Sequence, residues 1–260
     1  MTMTEVSVAG GRFNVRVWSE GRGRPVLYLH GYDGQLGDTP FLQRLAKTRQ
    51  VFAPEHPGYG TSTGIDQIDG ILDMTLYLRE LLGALGLEKA DIIGHSLGGM
   101  FAAELAAICP HSVDRLVLIS PFGLWLEEQE IPDIFVMSPN ALQRNAWHAP
   151  EAPAAQAMLS RLANSEGGGA AIITRAMNLS AAGKFLWPIP DRGLAKRLRL
   201  ITAPTQIIVG ESDKLIGRPY GEAFASQIPN AKLAVIAEAG HFPMVEAEDA
   251  FFGVLDGFLG

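Results

Sequence analysis

Ser96 stands between two glycines in Gly94-His-Ser96-Leu-Gly98, after the short apolar run Ala90-Asp-Ile-Ile93 and before an alanine-rich run that ends at Ile108. A serine hydroxyl is a poor nucleophile unless a base removes its proton, so the six histidines are the next residues to weigh. His95 adjoins Ser96, and its side chain is expected to point away and pack locally. His30 ends an apolar run and reads as a structural hydrogen-bonding residue. His56, His111 and His148 fall in loops or in the middle region, where solvated positions are expected. His241 differs, because it follows the apolar run Lys232–Ile236 and the turn Ala239-Gly240. It is the base this reading selects. A third group should hold the imidazole in one tautomer and stabilise its cation. The run Thr205–Val209 leads into Gly210-Glu-Ser-Asp213, which makes Asp213 the first choice and Glu211 its local competitor. The other place for an acid, after Arg115–Ile119, reads Ser-Pro-Phe-Gly and offers no early carboxylate. Backbone N–H groups would stabilise the developing oxyanion, with Leu97, the residue after the nucleophile, and Tyr32, just after His30-Gly31, as the expected donors.

These groups can meet only if the chain brings the ends of several elements to one edge. Arg12–Trp18 alternates with period two, as a half-buried strand does. Val26–Leu29, Ala90–Ile93, Arg115–Ile119 and Thr205–Val209 are continuous apolar runs that fit strands buried on both faces. Val51–Ala53 and Lys232–Ile236 are further candidates. Met74, Tyr77, Leu78, Leu81, Leu82 and Leu85 share one face of a helix, with Asp73 as its expected N-cap and Gly86 as its stop. A second helix is expected over Leu97–Ile108, closed by Cys109-Pro110. From about 122 to 190 the strand signals lapse, and helical stretches are separated by Pro139, Pro150, Pro153 and Gly167-Gly-Gly169. The expectation is an α/β fold: a mostly parallel central sheet with helices on both faces, formed by residues 1–121 and 191–260, with a helical insertion over 122–190. Sheets of this kind hold their sites at the carboxyl ends of the strands. Ser96, Asp213 and His241 all follow strand ends.

Composition narrows the field of functions. With 260 residues, 47% of them hydrophobic, the chain can bury a large core. A net charge of −7 argues against nucleic acid as a partner, and Lys196-Arg197-Leu-Arg199 is a lone basic cluster best read as a solvated face. The first residues carry no positive, then apolar, leader pattern, and no apolar run reaches the ~18 residues of a membrane span, so a cytoplasmic protein is expected, without a membrane partner. Cys109 is the only cysteine, which excludes a disulfide within the chain or a cysteine zinc cage. Nothing chooses between monomer and homodimer.

Taken in chain order, His30-Gly31, Glu55-His-Pro57-Gly58-Tyr-Gly60-Thr-Ser62, Gly94-His-Ser-Leu-Gly-Gly99, Gly210-Glu-Ser-Asp213 and Gly240-His241-Phe-Pro span nearly the whole sequence. Together they make the chain resemble the α/β-hydrolase superfamily, in its serine esterase and lipase-like branch with an inserted cap. Glu55 stands where that pattern usually has aspartate, and a structural role is expected for it. The resemblance implies a nucleophile–acid–base order of Ser96, Asp213 and His241, attack of Ser96 on an ester carbonyl, and no metal or cofactor. Serine at 96 disfavours the dehalogenase and epoxide-hydrolase branches, which use aspartate there.

The insertion holds Trp125, Phe135, Met137, Trp147, Met158, Phe185 and Trp187. They read either as packing within the cap or as an apolar wall over Ser96 that favours hydrophobic acyl or alcohol groups. Glu127-Glu-Gln-Glu130 reads as a solvated face, and Gly167-Gly-Gly169 as a linker or a hinge. The leading expectation is a carboxylic ester hydrolase acting on small to medium apolar esters. Carbon–carbon bond hydrolysis or acyl transfer on the same scaffold, and a slow-turnover ligand receptor, are its rivals.

Overall fold

The computed structural model describes residues 2–34, 39–164 and 168–260. Strands and helices follow in the order β1 (Thr2–Val8), β2 (Phe13–Glu20), β3 (Pro25–Leu29), α1 (Pro40–Leu45), β4 (Gln50–Pro54), α2 (Ile71–Ala84), β5 (Ala90–His95), α3 (Leu97–Ile108) and β6 (Val113–Ile119). After these come α4 (Pro139–Ala146), α5 (Pro153–Asn164), α6 (Gly168–Leu186), β7 (Thr205–Gly210), α7 (Arg218–Gln227), β8 (Ala231–Ile236), α8 (Pro243–Glu246) and α9 (Glu248–Leu259). The eight strands form one sheet in the order β1-β2-β4-β3-β5-β6-β7-β8. Only the β1–β2 and β2–β4 pairings are antiparallel. The remaining pairs are parallel, with Ile93 opposite Val117 and Leu118 opposite Ile207 in the centre. Helices cover both faces, so the expected fold class holds.

The central strands are apolar because nothing polar on them would reach water. β5 and β7 are buried at every position, and β6 is buried from Leu116 onward. On β2, Phe13, Val15 and Val17 are buried while Asn14 is exposed, which is the alternation of a strand with one wet face. The edge strand β1 is mostly exposed and was not foreseen from its polar sequence; its position is set by antiparallel pairing with β2 along its whole length.

Helix starts depart from the sequence reading at one point. Asp73 does not cap α2 from the N-cap position. The helix begins at Ile71, and the Asp73 carboxylate reaches back to accept the N–H groups of Asp69 and Gly70 at 3.0 and 3.2 Å. Two free N–H groups are thereby satisfied from within the first turn.

The segment between β6 and β7 contains no strand among its described residues, only an isolated bridge between Leu126 and Gln129 and the helices α4 to α6. Gly167 lies outside the described residues, and Gly168 and Gly169 open α6. The chain returns to the sheet through two 3₁₀ turns, Leu194–Lys196 and Leu198–Leu200. Between them Arg197 grips Glu104 of α3 with two hydrogen bonds of 2.7 and 2.6 Å, and Glu104 is fully buried. No helix among the described residues is long and apolar enough to cross a membrane.

The Arg197–Glu104 pair ties this return to the helix that follows Ser96. Removing only the arginine leaves a buried carboxylate uncompensated, at a cost of about 3 kcal/mol. Arg197→Met should therefore lower Tm by roughly 10 °C in a thermal melt, given a few degrees per kcal/mol at this size. The double variant Glu104→Leu/Arg197→Met should regain most of that loss. Equal melts for the single and double variants would show that the pair is not the tie.

Candidate active site

Ser96 lies between the end of β5 and the first residue of α3, with φ of 57° and ψ of −117°. A positive φ costs a non-glycine residue free energy, and the surroundings must hold it there. They do so through the backbone: Ser96 N–H donates to Ile119 O at 2.8 Å, and Ser96 O accepts from Gly99, Met100 and Phe122 N–H. The flanking glycines are required by close approach. A Cβ on Gly94 would lie 2.3 Å from Gly98 O, and one on Gly98 would lie 2.1 Å from Leu29 O. The start of α3 can thus press against the ends of β3 and β5. Its free N–H groups and partial positive charge sit beside the serine hydroxyl.

His241 and Asp213 arrive from the loops after β8 and β7. The His241 N–H donates to Ala146 O at 2.6 Å, and its C=O accepts from His95 Nε2 at 2.8 Å. His241 Nδ1 lies 2.8 Å from Asp213 Oδ2, and Nε2 lies 2.9 Å from Ser96 Oγ. The other carboxylate oxygen, Asp213 Oδ1, accepts the N–H groups of Leu215 and Ile216 at 2.8 and 2.9 Å. A carboxylate only accepts, so Nδ1 carries the imidazole proton and Nε2 is left bare toward the hydroxyl, which donates to it. All three side chains are buried. Glu211, the competing acid, is exposed. Its backbone N–H bonds Ile236 O. His95, expected to pack locally, packs on the site, with its ring 4.9 Å from that of His241.

Tyr32 and Leu97, the expected oxyanion donors, flank Ser96. Leu97 is the first residue of α3. Tyr32 follows Gly31, whose position is so close that a Cβ there would lie 3.1 Å from Ser96 Cβ. The Tyr32 ring sits 6.2 Å from that of His241. Next to it, desolvation raises the Asp33 carboxyl to about 6, against the opposing pull of its own N–H and of His241.

The remaining histidines divide differently from the sequence reading. His111 and His148 are exposed, and His148 Nδ1 lies 2.7 Å from Ser212 Oγ. His56 is not solvated: it is buried and packed against His30, with ring centroids 3.9 Å apart and planes tilted by 35°. The reason is local, since the backbone N–H of His56 bonds His30 Nε2 and draws the loop inward. Burial lowers the His56 pKa from 6.5 to about 4, and burial together with the neighbouring His56 lowers that of His30 well below its ordinary value. Glu55 is also buried, and its carboxylate takes Arg16 Nη2 and, at 3.3 Å, Thr61 N–H. No group of three or more His, Cys, Asp or Glu side chains among the described residues is arranged to hold a metal.

A cavity of about 360 Å³ lies between this edge of the sheet and the helical segment. Tyr32, Asp33 and Phe242 line it from the sheet side, and Leu142, Trp147, Met158, Arg175 and Leu179 from the helices. Of the aromatic and methionine residues singled out in the sequence, Trp147 and Met158 line it. Trp125, Phe135, Met137, Phe185 and Trp187 do not. Phe135 and Trp187 pack edge-on to each other at 6.0 Å, Phe185 is spent on Phe101 of α3 at 4.9 Å, and Trp125 is only partly buried. The Met137 carbonyl instead accepts from Arg175 Nη2 at 3.4 Å. Arg175, Asn178 and Leu179 were missed, although their i, i+3, i+4 spacing places them on one helix face. Phe242 was missed as well; it stacks on Trp147 at 4.7 Å.

Comparison with known proteins gives consistent findings. A profile described as the Alpha/beta hydrolase family matches residues 26–254. The chain is 29% identical to 2-hydroxymuconate semialdehyde hydrolase of Pseudomonas putida, covering 98% of this chain and 93% of that protein. It is 24% identical to 2-hydroxy-6-oxo-6-phenylhexa-2,4-dienoate hydrolase of Burkholderia cepacia, over 92% of this chain and 88% of that one. Among solved structures it superposes with a TM-score of 0.77 on Est816, an N-acyl homoserine lactone degrading enzyme, at 26% identity and 98% and 100% coverage.

The buried histidines make stability depend on pH in a defined window. Above pH 6.5 His56 is neutral whether the chain is folded or unfolded. As pH falls through 6.5 the unfolded chain takes up a proton that the folded chain refuses until about pH 4, so stability is lost between these values. Asp33, raised to about 6, acts in the opposite sense over part of that range, so a variant isolates the histidine. Thermal melts from pH 7 to 4 should show a shallower fall in Tm for His56→Gln than for the parent. Parallel falls would remove His56 from the account.

Proposed function

The chain belongs to the alpha/beta hydrolase family, and on that premise we propose that it is a serine hydrolase cleaving carboxylic esters of small to medium apolar acids or alcohols through an acyl-enzyme on Ser96. The observation that carries this reading is the unbroken chain of hydrogen bonds from Asp213 through His241 to Ser96 Oγ; the Tyr32 and Phe242 rings, 6.2 and 5.5 Å from that of His241, line the neighbouring cavity. In this reading His241 Nε2 takes the hydroxyl proton as Ser96 Oγ attacks the ester carbonyl. Asp213, fixed by two N–H groups of its own loop, holds the Nδ1 proton and stabilises the imidazolium. The N–H groups of Leu97 and Tyr32 receive the oxyanion. The imidazolium then protonates the leaving alkoxide, the C–O bond breaks, and the acyl group stays on Ser96. Water follows the same path in reverse, giving its proton to His241 and releasing the acid.

A second reading, hydrolysis of a carbon–carbon bond next to a ketone, is favoured by one feature of the cavity. Arg175 is a cation on an otherwise largely apolar wall, suited to a substrate that carries a carboxylate. The relatives named for semialdehyde and dienoate hydrolysis point the same way. The nucleophile and base would be unchanged, and the leaving group would be a carbon acid instead of an alkoxide.

Hydrolysis of p-nitrophenyl esters from acetate to laurate tests the first reading, and release of the acid from a 2-hydroxy-6-oxo-dienoate tests the second. Ester turnover with an optimum at intermediate chain length is expected, and selective turnover of the dienoate would transfer the assignment to carbon–carbon cleavage. In either case Ser96→Ala and His241→Ala should lower kcat by ~10⁶-fold and Asp213→Asn by ~10⁴-fold, with Glu211→Gln close to the parent. A crippled Glu211→Gln beside a nearly normal Asp213→Asn would overturn the choice of acid.

A further inference from the structure

His30 and His56 are buried beside the site, yet neither belongs to the Ser96–His241–Asp213 chain. Their ring nitrogens are committed in a way that fixes both tautomers. His30 Nδ1 lies 2.7 Å from Gly31 O, and a carbonyl only accepts, so Nδ1 carries the proton. His30 Nε2 receives the backbone N–H of His56 at 3.0 Å, so it must be bare. His56 Nε2 lies 3.1 Å from His30 O and must therefore carry a proton, which leaves His56 Nδ1 bare and without a partner. A second proton on His30 would set an N–H against the His56 N–H. His30 is held neutral by its own hydrogen bonds, and burial disfavours the charged form of His56.

The bond to Gly31 O has a consequence one peptide further on. Gly31 C=O and Tyr32 N–H belong to a single planar trans unit and point in opposite directions. Whatever fixes the carbonyl fixes the N–H. Gly31 O is held twice, by His30 Nδ1 and by Gly34 N–H at 3.2 Å. The preceding carbonyl, His30 O, is held by His56. The Tyr59 hydroxyl, 4.8 Å from the His30 ring by its own ring centroid, donates to Tyr32 O at 3.4 Å. Three successive carbonyls, those of His30, Gly31 and Tyr32, are thus each held by a hydrogen bond.

From this geometry we infer that His30 and His56 are positioning residues that aim the Tyr32 N–H at the oxyanion formed on Ser96. The pair does for the oxyanion donor what Asp213 does for His241. The inference rests on the Ser96 acyl-enzyme reading. Simple core packing would require the rings to fill space; it would not require one nitrogen of each to meet a carbonyl of the same loop.

The test compares His30→Ala, His30→Asn and His56→Gln with the parent, each normalised to the sites labelled by a fluorophosphonate. Losing an aimed oxyanion donor costs ~10²-fold or more in kcat. His30→Ala should show that loss with KM within about threefold of the parent. His30→Asn, whose amide N–H can occupy the place of Nδ1, should recover at least about tenfold of it. The affinity of a trifluoromethyl ketone, which forms an oxyanion on the serine, should fall in step with kcat/KM, while a competing alcohol binds unchanged. Unchanged kcat per labelled site, or unchanged ketone affinity, would overturn the inference and leave a packing role. If His30→Ala does not fold, His30→Asn and His56→Gln carry the kinetic test. The imidazole ¹⁵N spectrum of the unaltered protein adds one that needs no variant to be active: the Nδ1–H form of His30 and the Nε2–H form of His56 are expected, and any other tautomer contradicts it. Failure of the parent to label at Ser96 would instead count against the acyl-enzyme reading, since the tautomers are read without it.

Discussion

Ser96 is held at a positive φ where β5 meets α3, and the close packing of that junction sets where every other part of the site must be. The glycines on either side let the first turn of α3 touch the carbonyl ends of β3. That contact delivers the helix N-terminus, and with it the Leu97 N–H, to the hydroxyl. It also puts Gly31 and Tyr32, the residues just beyond β3, against the serine. The neighbouring strands β6 and β7 then place Ile119 O under the Ser96 N–H and Asp213 beyond the end of β7. A parallel sheet achieves this because its strands point their carboxyl ends the same way. Ser96 and His241, separated by 145 positions in the chain, become hydrogen-bond partners.

The chemistry follows from how protons are shared out among buried groups. Each imidazole near Ser96 meets at least one carbonyl or carboxylate, which decides where its proton sits. His241 donates to Asp213 and turns its bare nitrogen to the hydroxyl. His95 donates to His241 O and so holds the backbone of His241. His30 and His56 hold the loop opposite. Burial keeps the last three neutral, lowering the pKa of each. A site built in this way brings no reorientation of dipoles when charge appears on the substrate oxygen, which is where preorganised donors are most effective.

Much of this was legible in the sequence, and for a stateable reason. Buried parallel strands demand continuous apolar runs, so β3, β5, β6 and β7 stood out, and the residues just past their ends were the natural places to look. Position past the end of the Thr205–Val209 run makes Asp213 the first choice, with Glu211 its local competitor; in the structure the two differ because one is buried on two backbone N–H groups and the other faces solvent. Edge strand β1 escaped because an exposed strand carries no apolar pattern. The burial of His56 escaped because its signal is a backbone N–H finding another histidine's ring, which no spacing rule records. The helical segment was read by residue type, and there type is a poor guide: Phe185 packs on Phe101 of α3, Phe135 packs edge-on against Trp187, and Trp187 stays half-exposed, whereas the smaller Leu142 and Leu179 and the charged Arg175 reach the cavity. Which face of a helix meets a cavity depends on how the helix docks, and that is settled by tertiary contacts far from its own sequence.

The central claim is that Ser96 becomes covalently acylated during turnover. It is tested most directly by mixing the protein with excess p-nitrophenyl butyrate, quenching in acid within the first turnovers, and mapping the added mass by peptide mass spectrometry. The account predicts one butyryl group per chain on the peptide that contains Ser96, appearing with a burst of one nitrophenolate and absent from Ser96→Ala. Turnover without any trapped acyl group, or an acyl group carried by another residue, would contradict it.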